Sequence, residues 1–448
     1  MPDTLRVDAL VAEIGSTTTV VSAFAGLAAG PGEAPRLVGQ GVAPTSVAQG
    51  DVGIGVEAAR AHLESTTGRL EPGLTLATSS AAGGLRMTVH GLTAKMTALA
   101  AREAALGAGG VVEFQTAGRL RDSDLRRIDE VSPGLLLLAG GVEGGDSETV
   151  LENARRLAEL ESRPIVVYAG NSAVRDDARA LLEAAGFRVH LTANVYPGVD
   201  ELDILPAREV IHDAFQEHIV HAPGMERISD LVQGSLLPTP GAVLIAAEVL
   251  AEAVGDLVVV DVGGATTDVH SITDGSPDMA AIATEPQPHS RRTVEGDLGT
   301  FVSARHVAEL IAEEHRPELL PPALPFTPGE IEAAALLARA AAVTAVHRHA
   351  GRLVHLYTPR GRQTVATGRD LTACRLIVGT GGALTRLPGG ESALEAVRAA
   401  SATGHQLLPP ADARCVLDRD YVLASCGALL AHFPAEAVLA IALKSTGL

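Results

Sequence analysis

The 448-residue chain has no tryptophan, an aromatic content of only 2% and just three cysteines. With so few rings to fill space, its cores must be built from Val, Leu, Ile and Ala. Cys374, Cys415 and Cys426 lie far apart, with neither metal-ligand spacing nor an even-numbered disulfide framework. They are expected to be buried hydrophobes in a reducing compartment. No run of about 18 apolar residues marks a membrane span. Asp3 and Asp8 stand where a signal peptide would be basic, so a cytoplasmic location is expected. Net positive charge is also lacking. A formal charge of −19 sets long-range repulsion against nucleic acid and anionic membrane, which are excluded as partners. A polyanionic ligand would need local help from backbone N–H groups and a divalent cation.

What is present is an ordinary globular composition, 46% hydrophobic and 20% charged, long enough for two to three packed domains. The opening pattern predicts strands at Val7–Glu13, Val20–Phe24 and Leu37–Val42, a helix over Gly53–Glu64 and a strand over Leu74–Ser79. From Leu85 to Asn194 helices and strands alternate, beginning with a helix at Ala94–Leu106 and a strand at Val111–Gln115. That alternation implies a parallel sheet with helical crossovers, hence an inserted α/β domain. A hairpin pattern returns at Leu257–Ile272. A long helix follows over Gly329–Gly351, opened by a capping box of Thr327 and Glu330 with Pro328 at the first helical position. Strands at Arg375–Val378 and Arg414–Leu417 complete the pattern.

Two segments repeat one design: Glu13-Ile14-Gly15-Ser16-Thr17-Thr18-Thr19, and Asp261-Val262-Gly263-Gly264-Ala265-Thr266-Thr267-Asp268. In each, a carboxylate ends an apolar strand, glycine and small hydroxyl residues make a turn, and a second strand follows. Glycine lets backbone approach a phosphate closely, turn amides and hydroxyls of Ser16, Thr17 and Thr266 can donate, and Glu13 or Asp261 can hold Mg²⁺ through water. Asp268 could help the metal or hold the turn. The P-loop is excluded because G-x-x-x-x-G-K-[ST] is absent, and the dinucleotide-binding fingerprint because each turn leads into a strand instead of a helix.

These segments resemble the two phosphate motifs of the actin/Hsp70/sugar-kinase ATPase superfamily. Leu237–Val243 resembles the start of its connecting helix, and Val378-Gly379-Thr380-Gly381-Gly382-Ala383-Leu384 its adenosine motif. The fold implied is α/β: two ribonuclease-H-like halves with an inserted parallel α/β domain. The expected division is 1–84 for the first part of one lobe, 85–200 for the insert, 201–255 for a helical connection completing that lobe, and 256–448 for the second lobe. Within the superfamily, Ala77-Thr78-Ser79-Ser80-Ala81-Ala82-Gly83-Gly84-Leu85-Arg86-Met87, Leu138–Gly141, Ala169–Asn171, Thr293–Gly299 and Asp261–His270 are similar to the MutL-type accessory proteins of glutamate mutase. That resemblance spans essentially the whole chain. It implies a slow Mg-dependent ATPase that accompanies the subunits of an adenosylcobalamin-dependent carbon-skeleton mutase as a reactivating or assembly chaperone. On it, ATP and Mg²⁺ are the expected cofactors, with Glu13, Asp261 and Asp268 doing the chemistry. Gly15, Ser16, Thr17, Gly263, Gly264, Thr266, Gly381, Gly382 and Ala383 would hold the nucleotide.

Glu13 departs from the superfamily's usual Asp by one methylene. Leu237 or Pro238 stands where Hsp70-like members carry a water-positioning Glu, and no lysine for a γ-phosphate is identifiable. A small-molecule kinase or a hydantoinase/oxoprolinase-like ATP-dependent enzyme is the alternative, although no acceptor-side base can be nominated. A nucleotide-insensitive scaffold would not need Asp261, Thr266 or the Gly381-Gly382 pair. Glu295 and Asp297 suggest either a nucleotide-facing turn or a helix start. Gly140, Gly141, Gly144, Gly145 and Asn171 fall after parallel strands, where ligands commonly bind. His347 and His349 are expected on a helix surface. The D-x-H-x-x-G pattern of a base-off cobalamin site is absent.

Overall fold

The computed structural model describes residues 4–28, 34–81, 85–219, 222–234, 236–358, 361–399 and 405–448. Ala82, Gly83 and Gly84 of the motif string above lie outside the described residues. The chain divides into two compact units. One comprises Met1–Thr45, Ile54–Thr78 and Ala242–Leu448, the other Ser46–Gly53 and Ser79–Gly241.

The first unit contains one strand pattern twice. β1 (Leu5–Ile14), β2 (Thr18–Ala25) and β3 (Arg36–Pro44) form an antiparallel meander. After α1 (Val52–Thr67), β4 (Leu70–Ser79) joins on the other side of β1. The repeat appears in the second sheet, described below. α1 lies so close to β3 that a Cβ on Gly41 would come within 1.9 Å of the Ala59 carbonyl oxygen, which makes glycine obligatory there.

The second unit carries β5 (Leu85–Gly91), α2 (Thr97–Gly107), β6 (Gly110–Ala117), α3 (Asp122–Val131), β7 (Leu135–Leu138), α4 (Glu148–Leu157), β8 (Ile165–Tyr168), α5 (Arg175–Ala184) and β9 (Val189–Leu191). Its sheet is wholly parallel in the order β6-β5-β7-β8-β9, as the alternating pattern implies. β5 is not legible as a strand in the sequence. Its polar Thr88 and His90 are fully buried and hydrogen-bond each other at 3.0 Å, His90 also meeting Thr116 at 2.8 Å. Burial pushes the His90 imidazole down to about 3, so it is neutral. α6 (Leu205–Ile219), α7 (Ile228–Leu231) and β10 (Leu236–Pro238) end the unit.

α8 (Thr239–Val254) leads into the second sheet. β11 (Leu257–Val262), β12 (Thr267–Ile272) and, after the single turn α9 (Pro277–Ala280), β13 (Ser290–Glu295) form another antiparallel meander. Beyond α10 (Ala304–Glu309), α11 (Pro328–His349) and the hairpin β14 (Arg352–Thr358) and β15 (Gly361–Thr367), β16 (Leu376–Thr380) adds parallel to β11 on its other side. α12 (Gly382–Thr385), α13 (Gly390–Ala399), β17 (Arg414–Leu417), α14 (Leu423–Leu429) and α15 (Ala435–Thr446) complete the chain, β17 pairing parallel to β16. A meander with further strands beyond its first strand, made twice, is the duplicated architecture of the actin/Hsp70-like ATPase fold.

β11 shows why both faces are apolar. Leu257 and Val259 enter a core with α8, α14 and residues of β1 and β2, whereas Val258, Val260 and Val262 enter another with α11 and α13. The two-residue period of the strand sends alternate side chains into each. α8 and α14 cross tightly, a Cβ on Gly427 falling 1.9 Å from the Ala242 carbonyl oxygen.

Several expectations need correction. Glu295 ends β13 and the next helix starts only at Ala304, so Glu295 and Asp297 do not open a helix. Arg348 instead binds both, at 2.7 Å each. His349 is buried, not on the helix surface, and hydrogen-bonds Ser271 and Thr293 at 2.8 and 2.9 Å. Cys374 and Cys426 are buried, but Cys415 is only half-buried. Among the described residues no helix is long and apolar enough to cross a membrane.

Candidate functional site

The β1–β2 turn is closed by Gly15, whose N–H donates to the Thr18 carbonyl at 2.9 Å; a Cβ there would approach that oxygen to 2.7 Å. Ser16 and Thr17 form the tip. Thr45, at the end of β3, donates its N–H to the Thr17 carbonyl and its hydroxyl to that of Gly15, at 3.0 and 2.8 Å. The β11–β12 turn repeats the design, the Gly263 N–H donating to the Thr266 carbonyl at 2.9 Å. Gly264 accepts hydrogen bonds from the N–H groups of Phe301 and Val302, both at 2.8 Å. The Thr293–Gly299 string thus serves this turn by packing against it, and Gly299 is required because a Cβ would lie 2.4 Å from Ala265 backbone.

The two turns meet. A Cβ on Gly264 would lie 3.6 Å from both Cγ2 and Oγ1 of Thr17, so the tips are in ordinary van der Waals contact range. The third glycine segment arrives through β16, which pairs Thr380 with Asp261. Gly381 has φ +87° and its missing Cβ would be 2.4 Å from Asp261 Oδ1. Only glycine allows this approach. All three glycine segments therefore converge around Asp261 and Thr17. Between them lies a cavity of about 140 Å³, lined by Thr17, Thr18, Gly264, Thr300, Gly382, Ala383, Arg386 and Tyr421 and walled by Pro322–Pro325.

Carboxylates dominate the electrostatics. Glu13 is buried and its carboxyl is pushed up to about 7, first by desolvation; the hydrogen bond from Tyr421 opposes this, Asp418 adds to it and Arg386 works against it. Asp261 is raised well above the carboxylate range by burial, then by the charges of Asp268 and Glu13, with Arg292 opposing. Asp418 is fully buried and raised by burial, against hydrogen bonds from Ser445, Leu423, Val422 and Thr380. Asp268 sits across the β11–β12 pair from Asp261. Its Oδ1 accepts from Arg292 Nε at 2.8 Å and Nη2 at 2.5 Å, and its Oδ2 from Thr266 at 3.2 Å. Both oxygens are thus engaged, which is the turn-holding arrangement.

Sequence reading missed Asp418 and Tyr421. Asp418 carries the Asp-Arg-Asp-Tyr segment just after β17: it accepts from Thr380 Oγ1, Ser445 Oγ and the N–H groups of Val422 and Leu423. Tyr421 donates its phenol to Glu13 Oε1. A carboxylate directly after an apolar strand was the available signal, the same one that marked Glu13 and Asp261.

The donor set suits a water-rich divalent cation. Among the described residues no three His, Cys, Asp or Glu side chains gather as a direct chelate. Two carboxylates, Glu13 and Asp261, are nevertheless buried here, the charge of Glu13 adding to the upward shift of Asp261, and such an excess of negative charge would be relieved by Mg²⁺, which keeps most of its ligands as water and phosphate oxygen.

The model of the MutL protein family matches residues 9–445, and Protein MutL of Clostridium tetanomorphum is 37% identical over 391 residues, 81% of this chain and 84% of that protein. The chain belongs to the MutL protein family. Among solved structures, nucleotide-free acetone carboxylase overlays this MutL-family chain with a TM-score of 0.37 at 14% identity, covering 96% of it and 70% of that protein. A glycerol dehydratase reactivase gives 0.31 at 10%, covering 94% and 99%. Superpositions this loose say nothing about chemistry.

In the second unit of this MutL-family protein the glycine loop after β7 is tied to its neighbours. Asn171 accepts from the Gly144 N–H and donates to the Gly145 carbonyl, both at 3.3 Å, while Glu143 accepts from Asn194 Nδ2 at 2.9 Å. Its polar groups hold the loops to one another.

Proposed function

We propose that the chain binds Mg-ATP between the two five-stranded sheets that contain β1 and β11 and serves as the ATP-dependent accessory protein of an adenosylcobalamin-dependent carbon-skeleton mutase such as glutamate mutase. The observation that carries this reading is the apposition of Thr17 and Gly264 beside Asp261. Two turns of like design line one space through Thr17, Thr18 and Gly264, and N–H and hydroxyl donors of such turns are the local help that a polyphosphate requires in a chain of net charge −19. Gly15, Ser16, Thr17, Gly263, Gly264 and Thr266 hold the phosphates; Gly381, Gly382 and Ala383 support the adenosine. Glu13 and Asp261 would hold Mg²⁺ through water, and the metal when bound would offset phosphate charge. Family membership supports the accessory role.

Ligand sites usually start at about 300 Å³, so a cavity of about 140 Å³ must open for a nucleotide. Movement of the Pro322–Pro325 wall or of one sheet against the other follows. A ligand gripping both turns favours their closed arrangement, and its loss reopens them. That coupling is what an accessory protein would transmit to a mutase.

Calorimetry of Mg-ATP binding to wild type and Asp261→Ala tests the site. Asp261→Ala is expected to weaken binding by about a hundredfold, the order of losing one metal-supporting carboxylate. Equal affinity in both proteins would refute the site, and no binding to either would refute the nucleotide reading. Hydrolysis accelerated by an added adenosylcobalamin mutase is the expected result for the accessory role; indifference to the mutase counts against it.

A further inference from the structure

Tyr421 stands in a backbone conformation that aromatic residues seldom adopt, φ +52°. Such strain persists only where surrounding structure enforces it, and it clusters at functional positions. Here the enforcement is visible. The Tyr421 N–H donates to the Asp418 carbonyl at 2.9 Å. The Asp418 side chain ties the turn to β16 through Thr380 at 2.9 Å and to α14 through the Leu423 N–H at 3.0 Å.

The ring is also held from the other side. The Arg386 guanidinium lies 5.1 Å from its centroid and donates to Gln40 Oε1 at 3.1 Å. Gln40, on β3 of the first sheet, donates in turn to the Tyr421 carbonyl at 3.3 Å and to Ser22 at 3.0 Å. A tyrosine from the turn between β17 and α14 is therefore fixed at its backbone and its ring, with its phenol donated to Glu13 of the first sheet. Glu13 has one more rotatable bond than the Asp that the phosphate motif usually carries. A longer side chain without an anchor would spread its carboxylate over several rotamers.

We propose that Tyr421 is the positioning residue of the metal–nucleotide site, its phenol fixing the Glu13 carboxylate for the divalent cation that accompanies the nucleotide. The inference rests on the Mg-nucleotide reading above. Tyr421 also lines the cavity with its ring, but its phenol acts on the metal through Glu13. The Glu at this place and the Tyr after β17 form a pair, each making sense of the other.

The test is ATP binding by the full chain, followed by calorimetry across a range of free Mg²⁺ and in excess EDTA. Tyr421→Phe keeps the ring beneath Arg386 and removes only the donor. It is expected to raise the Mg²⁺ needed for half-maximal binding about tenfold, the size of a lost hydrogen bond to a charged group, while leaving metal-free ATP affinity unchanged. Glu13→Gln should have the same effect, and the double variant should be no worse than either, as for residues acting through one contact. An unchanged Mg²⁺ requirement in Tyr421→Phe would overturn the proposal. So would equal weakening with and without metal, which is what a merely structural role predicts. Wild type that binds ATP without any Mg²⁺ dependence sinks this inference alone, whereas wild type that binds no ATP sinks the nucleotide reading with it.

Discussion

Arg292→Met is expected to destabilise the protein by about 3–5 kcal/mol, the cost of leaving a buried charge without its partner. Arg292 is 1% exposed and Asp268 5%, and the guanidinium donates to Asp268 Oδ1 through Nε and Nη2. Removing it strands Asp268 opposite Asp261 in the β11–β12 pair, where Arg292 also opposes the upward shift of Asp261. Methionine preserves much of the volume, so the loss is electrostatic in origin. Urea unfolding of wild type, Arg292→Met and the double variant Arg292→Met/Asp268→Asn measures it. The double variant should regain part of the loss, because replacing both partners leaves no unpaired charge. A single-variant loss below about 1 kcal/mol would mean that the pair contributes no more than a surface one.

The contribution of Glu13 to stability should fall as pH rises from about 4.5 to about 7, against His90 and His212, which burial lowers to about 3 and about 4 and which act in the opposite sense. The Glu13 carboxyl goes from the ordinary 4.5 to about 7 on folding, so across that window the native state keeps a proton that the unfolded chain has released. This contribution is therefore fully present below 4.5 and is lost by the time pH passes 7. At 1.36 kcal/mol per pH unit the change is roughly 3 kcal/mol. Glu13→Gln removes this contribution, so in metal-free buffer its stability relative to wild type should rise by that amount between pH 4.5 and pH 7. Asp261 and Asp418, also raised, add slope that the variant retains. Parallel pH profiles for wild type and Glu13→Gln would contradict the assignment.

Much of the site was legible because turn chemistry is local. Gly15 and Gly263 each close a hairpin through a residue three positions on, so a short string carries the whole motif. The strands flanking them were legible because both faces of β11 are buried and its side chains are apolar accordingly. β5 was not, since Thr88 and His90 look like surface residues until their mutual bonds and the bond to Thr116 satisfy them inside. β13 was missed for a similar reason: Arg292 and Thr293 on it are buried, held by Asp268 and His349. The helix-surface expectation for His349 failed because a helix position does not reveal which neighbour covers it.

By itself the sequence determined the hairpin turns, the order of the glycine segments, the parallel insert and the family, all of which depend on residues close together in the chain. Only the tertiary structure decided that Thr17 meets Gly264, that Gly381 packs against Asp261, and that Tyr421 reaches Glu13. Those meetings depend on strand pairing and sheet packing between distant segments. A hydrogen bond between a turn residue and a strand 408 positions away leaves no periodicity or spacing in a single sequence from which it could be read.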